Sequence, residues 1–199
     1  MKNTLNTLIL SILAGILISF GGIIYLMSPN KIIGSLLFSF GLATIVCQGY
    51  ALYTGRIGYF QEYGLKNLLT TIIGNFIGTT FIGILFQHTR LDLLTKVQPI
   101  LETKLNDSLV SFFILSIGCG AMMFLAVDNF KKSKAWFLII MPIMIFILSG
   151  FEHSIANMFY YTIGQAWSLE TFGLTVVAIV GNAFGSWLVN KSLMLIAEK

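Results

Sequence analysis

The sequence predicts an all-α integral membrane protein of about six spans, arranged as an inverted repeat of three and three with the second and fifth spans broken. Three observations predict it. The 199 residues are 56% hydrophobic and only 10% charged, too little polar surface to dissolve a globular domain of that size. Apolar runs of span length alternate with short polar turns along the whole chain. A GNxxG pattern occurs in the third run and again in the sixth, as Gly74-Asn75-Phe76-Ile77-Gly78 and Gly181-Asn182-Ala183-Phe184-Gly185.

The first run, residues 7–27, is long enough to span and lacks a small-residue cleavage pattern followed by exported sequence. It therefore reads as a helix and not as a signal peptide. Ser28-Pro29-Asn30 breaks the chain before the second run, 32–51. Leu52-Tyr53-Thr54-Gly55 and Arg56-Ile57-Gly58 follow it, so the second helix is expected to end or unwind there. The third run is 67–86. A polar connection, 88–104, separates it from the fourth run, 107–127, and divides the chain into halves of about 1–95 and 96–199. Pro142 and then Ser149-Gly150-Phe151-Glu152-His153-Ser154 interrupt the fifth run, 135–159, near its middle, and the sixth is 171–195. Together they make a single transmembrane domain, 1–199, with almost nothing left for an extramembrane one. Backbone that unwinds at membrane depth is tolerated only where protein or a water-filled path covers it, and interruptions at corresponding places in two halves point to a substrate pathway.

Halves with an odd number of spans must lie in opposite orientations, which makes the repeat an inverted one. Glycines four apart also serve close helix packing; that accounts for the glycines but not for the repeated asparagine. The net charge is +4. With both termini cytoplasmic, the inside segments hold Lys2, Arg56, Lys66, Lys131, Lys132, Lys134, Lys191 and Lys199, against Lys31, Arg90, Lys96 and Lys104 outside. This excess favours that orientation in an inner or plasma membrane and is no evidence for nucleic acid. The Lys131-Lys132-Ser133-Lys134 block reads the same way, although short basic clusters also bind anionic lipid. Cys47 and Cys119 sit in apolar runs without the spacing or partner histidines of a metal site, so they read as packing residues. No bound metal or organic cofactor is expected.

Glu152 and His153 form the titratable pair within a span, where burying a charged side chain costs about 2.5–3.5 kcal/mol even on the lenient insertion scale. Neutral imidazole both donates and accepts a hydrogen bond, and its ordinary pKa of about 6.5 lets it lend a proton to a passing weak acid and recover one. That suits an anion pathway; the plainer alternative is a neutral histidine that satisfies neighbouring backbone. Adjacent residues do not share a helix face, so Glu152 and His153 are expected to meet different neighbours. Lys104, just before the fourth run, reads equally as a snorkelling interfacial lysine or as part of the pathway.

Gly150-Phe151-Glu152-His153-Ser154-Ile155-Ala156-Asn157-Met158 resembles the central signature of the formate/nitrite transporter family. The resemblance covers nearly the whole chain: Leu52-Tyr53-Thr54-Gly55 is similar to the family's loop that interrupts helix two, and both GNxxG segments take part. It implies an aquaporin-like fold and a homopentamer in which every protomer has its own pore. By motif, His153 is similar to the central pore histidine, Lys104 to the lysine that opens helix four, and Thr54 to the loop threonine facing that lysine. Glu152, Asn157 and Asn182 match polar positions that hold the lysine and histidine in place. Phe38, Leu42 and Phe146 match the apolar constrictions on either side of the histidine, and Leu52 and Tyr53 the loop side chains near the inner slit. Without the resemblance these apolar residues are ordinary helix packing. Many members have extended termini, so terminal gating segments are expected to be missing here and the pore to be more constitutively open. Gly120 stands where some members have asparagine, and Tyr53 replaces the commoner phenylalanine; either change is expected to alter selectivity.

The function implied is passive or proton-linked, channel-like transport of small monovalent anions such as formate, nitrite or hydrosulfide. Lys104 and the backbone amides of the broken helices would draw the anion in, an apolar constriction would oppose a bare charge, and a proton passed at His153 would let the neutral acid cross. Other classes compete. A proton-coupled carrier for lactate or acetate would work by alternating access. An embedded enzyme would use Glu152 and His153, but the chain offers no HExxH, no paired aspartates and no nucleophile beside a base. A pore-less assembly subunit would have unbroken second and fifth helices.

Overall fold

The computed structural model describes residues 4–197, and among the described residues it is helical with no strand. Lys2 and Lys199 lie outside the described residues. The helices are α1 (Thr4–Met27), α2 (Lys31–Gln48), α3 (Tyr53–Arg56), α4 (Phe60–Gln87), α5 (Leu93–Leu105), α6 (Leu109–Ser133), α7 (Phe137–Leu148), α8 (Ser154–Ile163) and α9 (Leu169–Ala197), with a 3-10 turn, Ile57–Tyr59, between α3 and α4. Five helical stretches are long and apolar enough to cross a bilayer: α1, α2, Tyr53–Gln87, α6 and α9. The fifth run of the sequence is divided into α7 and α8, each too short to cross alone. Apolar side chains such as Ile73, Phe81, Ile114, Met141, Val180 and Trp187 stand exposed on the outer faces of these helices. This is the inverse of a water-soluble surface, and the chain is a multi-pass membrane protein.

Both interruptions are sharp. α2 ends at Gly49 and α7 at Ser149 with Gly150 following, and both glycines have φ 70°, a left-handed turn that glycine takes without steric penalty. An extended residue then opens each short helix: Leu52 caps α3 (φ −104°, ψ 129°) and His153 caps α8 (φ −97°, ψ 111°). Pro142 lies inside α7 without ending it.

The backbone freed by the breaks is satisfied in the same way in each half. Ala51 N–H donates to Leu10 O, and Glu152 N–H to Leu115 O, both at 3.2 Å. Asn75 accepts from Tyr53 N–H (3.0 Å) and donates to Ser11 O and Ala51 O (both 2.8 Å). Asn182 accepts from Ser154 N–H (3.0 Å) and donates to Ser116 O and Glu152 O (both 2.8 Å). One amide thus ties each break to the first helix of its own half, which accounts for the asparagine that glycine packing alone left unexplained. The glycines bring the backbones together: a Cβ at Gly15 would run into Asn75 O, and one at Gly120 into Asn182 O. Gly120 is therefore a close-approach position between α6 and α9. A side chain such as the asparagine of some members would not fit there without moving α6 from α9.

The polar connection 88–104 is largely helix. α5 is capped by Asp92, whose Oδ1 accepts from Thr95 N–H at 3.3 Å, and it buries Leu93, Val97 and Leu101, an i, i+4 stripe interspersed with polar residues. Its last turn carries Lys104, and α6 begins only at Leu109. The lysine therefore closes the amphipathic α5 and does not open the fourth span.

Candidate functional site

The two breaks meet at the centre of the molecule. His153, as the cap of α8, accepts at Nδ1 from Ala156 N–H (3.1 Å), and its Nε2 lies 3.0 Å from Thr54 Oγ1 on α3. Because Nδ1 is occupied as an acceptor, the ring's proton is on Nε2, and the Nε2–H donates to the threonine hydroxyl. The imidazole is stacked against Phe146, with ring centroids 5.5 Å apart, and Phe146 meets Phe38 edge-on at 6.3 Å. Leu42, Leu52 and Tyr53 are buried, and the Tyr53 hydroxyl donates to Ile179 O at 3.0 Å.

Beside the histidine lies a buried ion pair. Lys104 Nζ donates to Glu152 Oε2, and Asn157 Nδ2 donates to the same oxygen at 2.8 Å. The side chains of Lys104 and Glu152 retain 10% and 6% of their exposure, so the pair stands in a low dielectric where each charge depends on the other. A cavity of about 320 Å³ opens onto this group and is lined by Phe38, Lys104, Phe146, Glu152, His153 and Asn157, with Tyr25, Lys31 and Tyr160 also on its wall. A second cavity, of about 180 Å³, is lined by Leu52, Gly55 and Arg56 among others. Thr54, between them in sequence, joins the two sides through its bond to His153.

Of the residues singled out in the sequence, Lys104, Glu152, His153, Asn157, Phe38 and Phe146 come together on the first cavity. Leu52 belongs to the second. Two expectations change in detail. Thr54 bonds the histidine, while the lysine is taken by Glu152. Asn182 holds the backbone on either side of His153, through Glu152 O and Ser154 N–H, and does not bond the ring. Glu152 and His153 face different neighbours, as adjacent residues should. Two residues went unassigned in the sequence: Asn75, whose signal was the repeated GNxxG, and Arg56, read there only as a topology charge. Among the described residues, no group of three or more His, Cys, Asp or Glu side chains could hold a metal ion.

The family model of formate/nitrite transporters matches residues 1–196. The chain belongs to this family. Its family is one of transporters and channels. Among curated relatives, the formate channel FocA of Haemophilus influenzae is 32% identical over 156 residues, 68% of this chain but 54% of that protein, so the match spans about half of the relative's length. The formate channel FocA of Escherichia coli is 29% identical over 194 residues, 82% of this chain and 67% of that one. The formate channel BtFdhC of Bacillus thuringiensis is 30% identical, covering 76% and 70%. A solved FNT family ion channel superposes with a TM-score of 0.86 at 20% identity, over 98% of this chain and 91% of its own. A solved pentameric formate channel with formate bound gives 0.76 at 22% identity over 100% and 99%. The fold of the formate/nitrite transporter family is thus shared across essentially the whole chain.

Proposed function

We propose that this transporter carries small monovalent anions of weak acids, of the formate, nitrite and hydrosulfide class, across the cell membrane by a passive or proton-linked, channel-like route. In this reading residues 1–199 act as one transport domain, five copies assemble with a pore in each, and both termini face the cytoplasm. The observation that carries it is the meeting of two broken helices at His153 and Thr54, with a charged cavity on one side and apolar side chains closing around the ring.

Lys104 has about three N–H donors, and Glu152 takes one; the others are free to receive an anion from the cavity. The apolar wall of Phe38, Leu42 and Phe146 opposes a bare charge, so a neutral acid crosses it more readily. His153 as seated offers a hydrogen bond from Nε2. To become imidazolium it would need a proton on Nδ1, which the bond from Ala156 N–H occupies. We therefore assign His153 as the neutral donor that steers the permeating species past Thr54. The proton travels with the acid from the water of the cavity, and passage of a proton by His153 itself would require its cap bond to open. A proton-coupled carrier for lactate or acetate would use the same groups, but no observation favours it.

Stopped-flow flux into proteoliposomes tests the reading. Formate and nitrite flux should rise as pH falls, and Lys104→Ala and His153→Ala should each reduce it by about tenfold or more, the scale set by losing a charge-assisted hydrogen bond. Absence of flux for every small anion, from folded wild-type protein, would overturn it.

A further inference from the structure

Arg56 is the fourth residue after Leu52 and the last of α3, and it is only 6% exposed. A guanidinium at such depth ordinarily has a carboxylate partner, because an unpaired buried charge is costly. Arg56 makes no hydrogen bond or ion pair with any described residue: its Cζ rests over the Tyr63 ring at 4.7 Å, and Glu62 acts on it only as a neighbouring charge. The nearby acids are engaged elsewhere. Glu62 takes Lys131 at 3.0 Å, and Asp128 takes Lys132 at 2.7 Å and the Tyr59 hydroxyl at 3.1 Å.

The guanidinium instead lines the second cavity, of about 180 Å³, together with Lys131 and Lys134, and no acidic side chain lines it. That space is smaller than the roughly 300–1,000 Å³ of drug-sized pockets and suits an ion of a few heavy atoms. Thr54, two residues back from Arg56 on α3, is the residue that contacts the histidine.

We propose that Arg56 is a second anion site, at the mouth opposite Lys104, and that it selects planar anions presenting two oxygens, carboxylates and nitrite, over single-atom anions. The guanidinium fork matches two oxygens with two parallel N–H bonds, a geometry that neither a halide nor hydrosulfide can return and that lysine cannot offer. Tyr63 holds the face of the cation and leaves the fork to the cavity. This rests on the proposed anion transport and adds to it a preference among substrates.

The experiment measures half-saturation for formate and for hydrosulfide entering from each mouth, in right-side-out and inverted vesicles, with wild type, Arg56→Gln and Arg56→Lys. Arg56→Gln should raise the formate value about tenfold from the Arg56 mouth and leave the Lys104 mouth unchanged. Arg56→Lys should remain defective for formate while matching wild type for hydrosulfide, an outcome that a merely structural arginine does not produce. Lys134→Gln, an exposed change on the same cavity that leaves folding intact, should raise formate and hydrosulfide alike by about twofold. In parallel, NMR line broadening of isotope-labelled formate by solubilised protein reads binding without transport. Broadening that depends on Arg56 in a protein that conducts nothing would keep the site and remove the transport reading. Unchanged broadening and unchanged half-saturation in Arg56→Gln would overturn the site while leaving transport intact.

Discussion

At the residue scale the decisive feature is that Lys104 and Glu152, 48 positions apart, neutralise each other in a buried place. Glu152 was legible in the sequence, since a carboxylate inside an apolar run is too costly to be incidental, whereas Lys104 stood out only through the family resemblance. Their pairing was not, because contacts across such a separation are set by how α5 and α8 pack. The pair makes stability and transport separable. Lys104→Met alone strands the Glu152 carboxylate with Asn157 as its remaining donor, and Glu152→Met alone strands the ammonium; each should cost about 3–5 kcal/mol. The double variant Lys104→Met/Glu152→Met removes both charges and should recover most of the unfolding temperature in detergent, since apolar replacement of a buried pair is close to neutral. It should still carry no anion. A double variant no more stable than the singles would mean that the two side chains do not depend on each other as the geometry indicates.

At the element scale the two breaks are held by one asparagine each, bond for bond the same. Where the helices break was legible, because glycine and polar residues stand inside apolar runs, but how the freed backbone is satisfied lay in the repeated GNxxG and needed the fold to be understood. The amphipathic α5 was hidden for the opposite reason: its stripe of Leu93, Val97 and Leu101 is short and set among polar residues, so it read only as a polar connection. Asn75→Ala leaves Tyr53 N–H, Ser11 O and Ala51 O without their partner, and Asn182→Ala does the same to Ser154 N–H, Ser116 O and Glu152 O. At about 1–3 kcal/mol for each buried group left unsatisfied, both should lower the unfolding temperature severely and to a similar extent. Gly120→Asn should do likewise by forcing α6 from Asn182, whatever its effect on polarity. Thermal unfolding followed by circular dichroism checks all three, and tolerance of Gly120→Asn would mean that α6 and α9 are free to separate at that point.

At the scale of the whole molecule, the charges fall on two sides of the histidine. Lys31 and Lys104 line one cavity, Arg56, Lys131 and Lys134 the other, and the narrow apolar zone between them is where a bare anion is least stable. On the proposed reading, a pathway that is basic at both ends and apolar at its waist should admit an anion from either side, with its direction set by the gradient of the acid. Which side is which depends on orientation. The basic excess in the segments around Arg56 and Lys131–Lys134 should hold that end in the cytoplasm during insertion, because translocating several lysines against the membrane potential is opposed. With Cys47 replaced by alanine, a cysteine introduced at Arg90 should react with an impermeant maleimide in intact cells, while one at Lys132 should react only after permeabilisation. Both positions are exposed, so accessibility of the side chain does not limit either reaction. The reverse pattern would turn the transporter over, making Lys104 rather than Arg56 the first cation met by an anion leaving the cell.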